Sequence, residues 1–287
     1  MDRKYTPEEL TRLHDVLYEI LAEIDRICMK YDIKYFVTGG TAIGVYFWQS
    51  IIPWDDDVDV GMTRDNYIRF IEVAQAELGD RYFLQTPQTD KHSLFFFAKV
   101  RKNGTIFSES QFQHVNMHQG IYVDIFPFDD IPENESKQKR QHNIVFFLNG
   151  LFIATEVWQY KHFGKCHVPH PRKKSLPTCL MFRLLITLIP KSTIGWMLHK
   201  AQTWYNGNTY TECKNIITHS EHLPKKNATD TQRMPLGPLM VQAPKDILQY
   251  LNNHYGSVRK DYPIELQTNH CPAVLYFGEE SNNNDNK

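Results

Sequence analysis

Asp55, Asp56, Asp57 and Asp59 crowd one short stretch, IIPWDDDVDVGM, and carry the densest chemistry in the chain. Strict alternation over residues 57–62 predicts a strand, in which residues two apart point to one face. Asp57 and Asp59 then project together, while Val58 and Val60 take the opposite, buried side. Two adjacent carboxylates repel, and a hard divalent cation with oxygen ligands removes that cost. Asp55 joins them if the strand begins early; Asp56 points away. A third acid, Asp124, is flanked by Val123 and Ile125 in GIYVDIF. A lone buried charge is costly, so Asp124 needs a partner. If its strand lies beside the first, three carboxylates converge on a one- or two-metal site for phosphoryl transfer. The competing reading is a solvated acidic turn, with Asp124 paired to an unrelated arginine.

Other residues could serve the same chemistry. Gly39, Gly40 and Thr41 lie between a predicted strand and a predicted helix, where glycine lets backbone amides approach a phosphate and the helix N-terminus favours an anion. A plain tight turn uses the same residues. Lys99 and Arg101 alternate on a predicted strand and could neutralise a diphosphate, or simply form a solvated face. His270, in TNHCP, could contact a phosphate or stand on the surface. Tyr46, Phe47, Trp48 and Trp54 could cage a quaternary ammonium, although helical spacing favours packing for at least two of them. His162, Cys166, His167 and His170 are candidate zinc ligands whose spacing fits no recognised finger; a His-rich loop is the simpler reading.

The elements that must position these residues are legible in outline. Thr6, Pro7 and Glu9 predict a capped helix over 6–31, with Leu10, Leu13, Leu17, Ile20, Leu21, Ile24 and Ile27 at helical spacing. Residues 33–37 predict a strand, 41–48 a short helix and 64–78 a longer one. Residues 94–101 and 105–109 predict a hairpin turning at Asn103-Gly104. A strand over 120–126 is expected to stop at Pro127. Residues 134–143 read as a linker or exposed helix start. The remainder reads as mainly helical, apart from a strand near 234–241, and ends with a helix from Pro244 to Tyr255 closed by Gly256. Mixed strands and helices through residue 130 predict an α/β core.

Composition bounds the function. Of 287 residues, 41% are hydrophobic and 23% charged, as in an ordinary globular protein, and aromatics reach 13%. A formal net charge of -1 argues against broad nucleic-acid binding. The opening MDRKYTPEEL has no apolar leader, and no apolar run approaches the ~20 residues that cross a bilayer. Five scattered cysteines (Cys28, Cys166, Cys179, Cys213, Cys271) suit a reducing compartment, so a cytoplasmic location is expected. The sequons at Asn134 and Asn227 then read as chance matches. The apolar stretches at 144–158 and 179–190 are too short to span a membrane and read first as core helices. The second follows Arg172-Lys173-Lys174, so docking at the inner face of an anionic membrane is the alternative.

VTGGTAIG followed by IIPWDDDVDVGMTRDNY resembles the LicD family, within the nucleotidyltransferase superfamily related to DNA polymerase beta. That superfamily's signature is a Gly-Gly or Gly-Ser turn, a strand with two alternating acids, and a third acid on a later strand. Gly39-Gly40, Asp57, Asp59 and Asp124 match it. FAKVRKNGT and GIYVDIFPFDD look like further family motifs, and VQAPKDILQYLNNHYGSV resembles its proline-led helix ending in Tyr-Gly. The resemblance is strong over roughly residues 10–130 and weaker over 234–270. It departs at Phe47, Trp48, Gln49 and Ser50, where many members carry a basic run.

The resemblance implies a nucleotidyltransferase-type α/β (α+β) mixed sheet over residues 1–133. A mainly helical region over 134–233 would read the acceptor, a segment over 234–278 would pack on the core, and 279–287 would be a disordered tail. It implies transfer of a phosphoalkyl group, usually phosphocholine, from a CDP-linked donor to a sugar hydroxyl of a cell-surface glycan, which could be lipid-linked. Asp57 and Asp59 would bind Mg²⁺ (or Mn²⁺); Asp124 would complete that site or take the acceptor's proton. No obligate protein partner is implied. Nucleotidyl transfer from an NTP and a non-catalytic nucleotide-binding module are the rival readings, the latter disfavoured by an intact acid triad.

Overall fold

Thr6 opens the first helix, α1 (Pro7–Lys30), through a reciprocal cap: its hydroxyl accepts from the Glu9 amide at 3.2 Å, and Glu9 accepts from the Thr6 amide at 3.0 Å. The structure, a computed structural model, describes residues 4–160, 176–217, 221–261, 263, 267 and 269–278. The zinc candidates His162, Cys166, His167 and His170, the basic run 172–174 and the tail 279–287 lie outside the described residues.

After α1 come β1 (Phe36–Val37), α2 (Gly39–Phe47), β2 (Asp59–Thr63), α3 (Arg64–Leu78), β3 (Tyr82–Gln85), β4 (Ala98–Lys102), β5 (Ile106–Ser108) and β6 (Tyr122–Ile131). Three helices follow: α4 (Glu135–Tyr160), α5 (Leu176–Leu188) and α6 (Lys191–Gln202). The chain returns through β7 (Glu212–Lys214), β8 (His222–Pro224), α7 (Lys225–Thr229), β9 (Gln232–Leu236), β10 (Leu239–Ala243), α8 (Ile247–Tyr255) and β11 (Val274–Tyr276).

The main sheet has seven strands, in the order β1-β2-β6-β4-β3, with β7 on β6 and β8 on β7. Among its described strands only β2 and β6 run parallel; the other pairs are antiparallel. Such a mixed sheet with flanking helices is the α+β class expected. One core joins α1 and the sheet to buried residues from the far end of the chain, including Leu236, Val241, Tyr250 and Leu251. A second gathers α4, α5 and α6 around Leu148, Phe152 and Leu198. The middle of the chain is therefore divided: its helices build the second core, while Cys213, Leu223 and Ala228 join the first.

Several sequence expectations are corrected. β4 and β5 do not form a hairpin: β4 pairs with β3 and β6, and β5 pairs with β11. Asn103-Gly104 still makes a turn, with Gly104 at positive φ, but the chain leaves it in another direction. Pro127 does not stop its strand. The Asp124 amide donates to the Val58 carbonyl just before β2, so by alternation residue 127 would aim its missing N–H toward β4, whose pairing ends at Ile125. The first strand is two residues rather than five. β2 begins at Asp59, so Asp57 precedes the ladder. The strand near 234–241 is a hairpin of β9 and β10. The last helix starts behind Asp246, whose side chain accepts from the Gln249 amide, rather than at Pro244. The stretch at 144–158 is a core helix, but α5 buries Phe182 and leaves four large apolar side chains exposed.

Candidate active site

Four strands place four polar residues in one row. Gln85 on β3 pairs in register with Lys99 on β4, Lys99 with Asp124 on β6, and Asp124 with Asp59 on β2. Register partners present their side chains on the same face, so the two acids are neighbours. Lys99 Nζ donates to Asp124 at 2.6 Å and is buried, lying over the rings of Tyr122 (3.6 Å) and Phe95 (4.1 Å). Arg101 shares this face but spends its donors internally, on Gln85 at 2.6 Å and the Gly120 carbonyl at 2.7 Å.

The Gly39-Gly40-Thr41 turn begins α2 directly beside the acids. Gly39 has φ +56°, and a Cβ there would stand 3.3 Å from an Asp59 carboxylate oxygen. At Gly40 it would stand 2.8 Å from Asp55 Oδ2. Glycine is thus required by both backbone conformation and space. The Thr41 hydroxyl accepts from the Asp59 amide at 2.8 Å, and the Thr38 amide donates to the Asp59 carbonyl at 3.1 Å. The turn and β2 hold each other in place.

Asp56 turns away and is fixed by the Tyr5 hydroxyl at 2.8 Å and the His270 amide at 3.0 Å. His270 Nδ1 stands 3.3 Å from Asp57 and 3.4 Å from Asp56. The Asp56 contact, with Asp57 beside it, raises the imidazole to about 9. Burial pushes Asp55 up to about 8, with the Asp57 charge adding to it. Burial likewise raises Asp57, despite His270, and raises Asp59 well above the carboxylate range, with Asp57 and Asp124 reinforcing the effect.

Sequence reasoning missed two members of this site. Glu221 is buried, accepts from Thr38 at 2.8 Å, and lies near the same face of Gly39 as Asp59. The Tyr250 hydroxyl accepts the Gly39 amide at 2.8 Å and donates to Glu221 at 3.2 Å. No local pattern marks Glu221; the family-like helix around Tyr250 was the only available signal. Trp48 and Trp54 pack edge to face at 5.6 Å, and both lie against the main core, as do Phe47 and Val45.

Hard divalent cations suit this donor set: oxygen-only carboxylates, half-buried side by side and, for Asp55 and Asp59, pushed further toward protonation by their neighbours' charge. Among the described residues no three His, Cys, Asp or Glu side chains close on one point as a finished cage. The fit therefore rests on donor chemistry and crowding. A cavity of about 610 Å³ lies elsewhere, lined by Tyr67, Phe96, Phe152, Lys191, Trp196 and His199. Arg64 also borders it, just past the end of β2 that is remote from Asp59, so it is separate from the acids.

This combination of a mixed sheet, a glycine turn and facing acids defines a nucleotidyltransferase-type domain. Residues 32–173 match the LicD/FKTN/FKRP nucleotidyltransferase domain, so the chain contains a LicD-family domain. It is 35% identical over 124 residues to the lipopolysaccharide cholinephosphotransferase LicD of Haemophilus influenzae, covering 42% of this chain and 44% of that protein. It is 29% identical over 119 residues to an uncharacterized protein of Rickettsia typhi, covering 42% of this chain and 36% of that one. The chain spans less than half the length of the curated relatives it matches.

Proposed function

We propose that this chain transfers phosphocholine, or a similar phosphoalkyl group, from a CDP-linked donor to a sugar hydroxyl of a cell-surface glycan, releasing CMP. The observation that carries this reading is the register pairing of Asp59 with Asp124 beside the Gly39-Gly40 turn. The similarity to a lipopolysaccharide cholinephosphotransferase supports the choice of donor and acceptor classes. Asp57 and Asp59, with Asp55 close by, would hold Mg²⁺ (or Mn²⁺). Bound there, the cation would offset the charge of the donor's diphosphate.

The chain's own residues account for the rest. The glycine turn lets the donor's phosphates approach the backbone closely. His270 adds positive charge at the rim beside Asp57. Lys99 donates to one oxygen of Asp124 and fixes that side chain beside Asp59, where its other oxygen would accept the proton of the acceptor hydroxyl. The freed oxygen attacks the distal phosphorus, and its bond to CMP breaks. Positioning and charge neutralisation supply most of the rate enhancement, as is general for phosphoryl transfer.

Product analysis tests the reading. With CDP-choline, Mg²⁺ and a glycan acceptor, CMP should accumulate in step with phosphocholine on the glycan. Pyrophosphate release from an NTP, without CMP from any CDP-linked donor, would assign the domain to nucleotidyl transfer. Thermal shift with CDP-choline, CDP-ethanolamine, CDP-glycerol and CDP-ribitol ranks the donors, because a bound ligand raises stability with its saturation.

A further inference from the structure

Acidic residues are absent from one long part of the chain. Residues 157–211 contain eight Lys or Arg and no Asp or Glu, in a protein whose formal net charge is -1. In the described part of this stretch, α5 and α6 carry Arg183, Lys191 and Lys200 and no acid.

α5 is apolar on both sides. Phe182 is buried in the second core, with Leu185, Ile186 and Ile189 packed against it. Leu180, Leu184 and Leu188 recur every four residues and form a single exposed stripe, with Leu184 59% and Leu188 68% accessible. Met181 and Arg183 border it and are exposed too. A surface helix usually turns a polar face to water.

Length and anchoring decide how such a helix can be used. Thirteen residues give ~20 Å of helix, short of the ~30 Å hydrocarbon core. α6 leaves at 103° and is tied into the second core through Ile194 and Leu198. Among the described residues, no single helix is long and apolar enough to cross a membrane. α5 by itself is therefore too short to cross a membrane and suits lying along one. α6 exposes Trp196 and Lys200 one turn apart, an aromatic and a cation of the kind that favour the headgroup zone.

We infer that the outer face of α5 docks in the plane of an anionic lipid bilayer, its leucine stripe in the acyl boundary and the exposed Arg183 and Lys200 against the headgroups. A second copy of the chain is the weaker occupant, because pairing these faces would bring two sets of cationic, acid-free helices together. The inference does not depend on the reaction proposed above, although docking would bring the site to a lipid-linked acceptor.

The full chain is sedimented with phosphatidylcholine vesicles and with vesicles that also contain phosphatidylglycerol. Binding should require phosphatidylglycerol and fall steeply with salt. Leu184→Asp/Leu188→Asp should weaken it about tenfold or more, from the lost burial of two leucines. Arg183→Glu/Lys200→Glu should weaken it similarly through charge, in case the first variant fails to fold. Met29→Asp, at an exposed methionine on α1, should leave it unchanged. Equal binding to both vesicle types, no binding, indifference to both double variants, or a dimer that the leucine variant dissociates would overturn the inference.

Discussion

Lys99 Nζ and Asp124 Oδ1 stand 2.6 Å apart on neighbouring strands, and the lysine is almost wholly buried. Asp124 is in turn the register partner of Asp59. The lysine therefore fixes Asp124 in place beside Asp59. Lys99→Met should lose a few kcal/mol of stability, because removing one partner of a buried pair strands the other. The fall in kcat should exceed any rise in the donor's Michaelis constant. Combining it with Asp124→Asn should restore much of the stability but not the activity. Urea unfolding and steady-state kinetics on the three variants check this; a Lys99→Met defect confined to donor binding would place the ammonium on the donor's phosphates instead.

The row of polar residues was legible in the sequence because period-two alternation fixes which side chains share a face. The pairing of Asp59 with Asp124 needed one further assumption, that the two strands are adjacent. Lys99 was marked as a cation near phosphates, yet its partner could not be read, because strand order is a property of the whole sheet. Glu221 was invisible for the same reason, and the family-like helix around Tyr250 gave no hint of its contacts. Glu221 and Tyr250 meet Thr38 and Gly39 across 183 and 211 residues of sequence. The failed hairpin at Asn103-Gly104 has a related cause: the turn is real, but β6 took the edge of β4 that β5 would have used.

Asp57→Asn and Asp59→Asn should each abolish turnover while leaving the protein folded. Each removes a charge and keeps the shape. Because burial raises both carboxylates, the metal-free variants should melt at or above the wild-type temperature. Thermal melts in chelator alongside CMP release test both halves. Wild-type-like turnover in either variant would remove that residue from the metal site.

Metal-free stability should depend on pH through Asp55. Its folded carboxyl is raised to about 8, above the ordinary 3.8. Folding therefore holds a proton that the unfolded chain gives up. The contribution is complete below about pH 4 and is lost as pH rises through 8. Subtracting the stability of Asp55→Asn from that of wild type, in chelator, should give a difference that declines across this window. Mg²⁺ should flatten the decline by stabilising the ionised cluster. A flat difference without metal would mean that Asp55 is ionised throughout.

Tyr250 connects the last helix to the glycine turn. Its hydroxyl accepts the Gly39 amide at 2.8 Å, meets the Thr38 hydroxyl at 2.9 Å and donates to Glu221 at 3.2 Å. All of these groups are buried apart from water. Tyr250→Phe keeps the ring in the core and removes only the oxygen, so the Gly39 amide loses its acceptor and Glu221 one donor. Leaving such groups unsatisfied costs roughly 1–3 kcal/mol, and urea unfolding should record a loss of that size. The catalytic effect should be larger than the stability loss alone implies, because Gly39, at φ +56°, lies so close to Asp59 that an added Cβ would stand 3.3 Å from its carboxylate. Freed of the tyrosine, the turn can relax and the acids lose their register with the donor's phosphates. The expected signature is a lower kcat at saturating donor, measured well below the melting temperature where the variant is fully folded. A variant that loses stability but keeps its full kcat would make Tyr250 a packing residue with no hold on the turn.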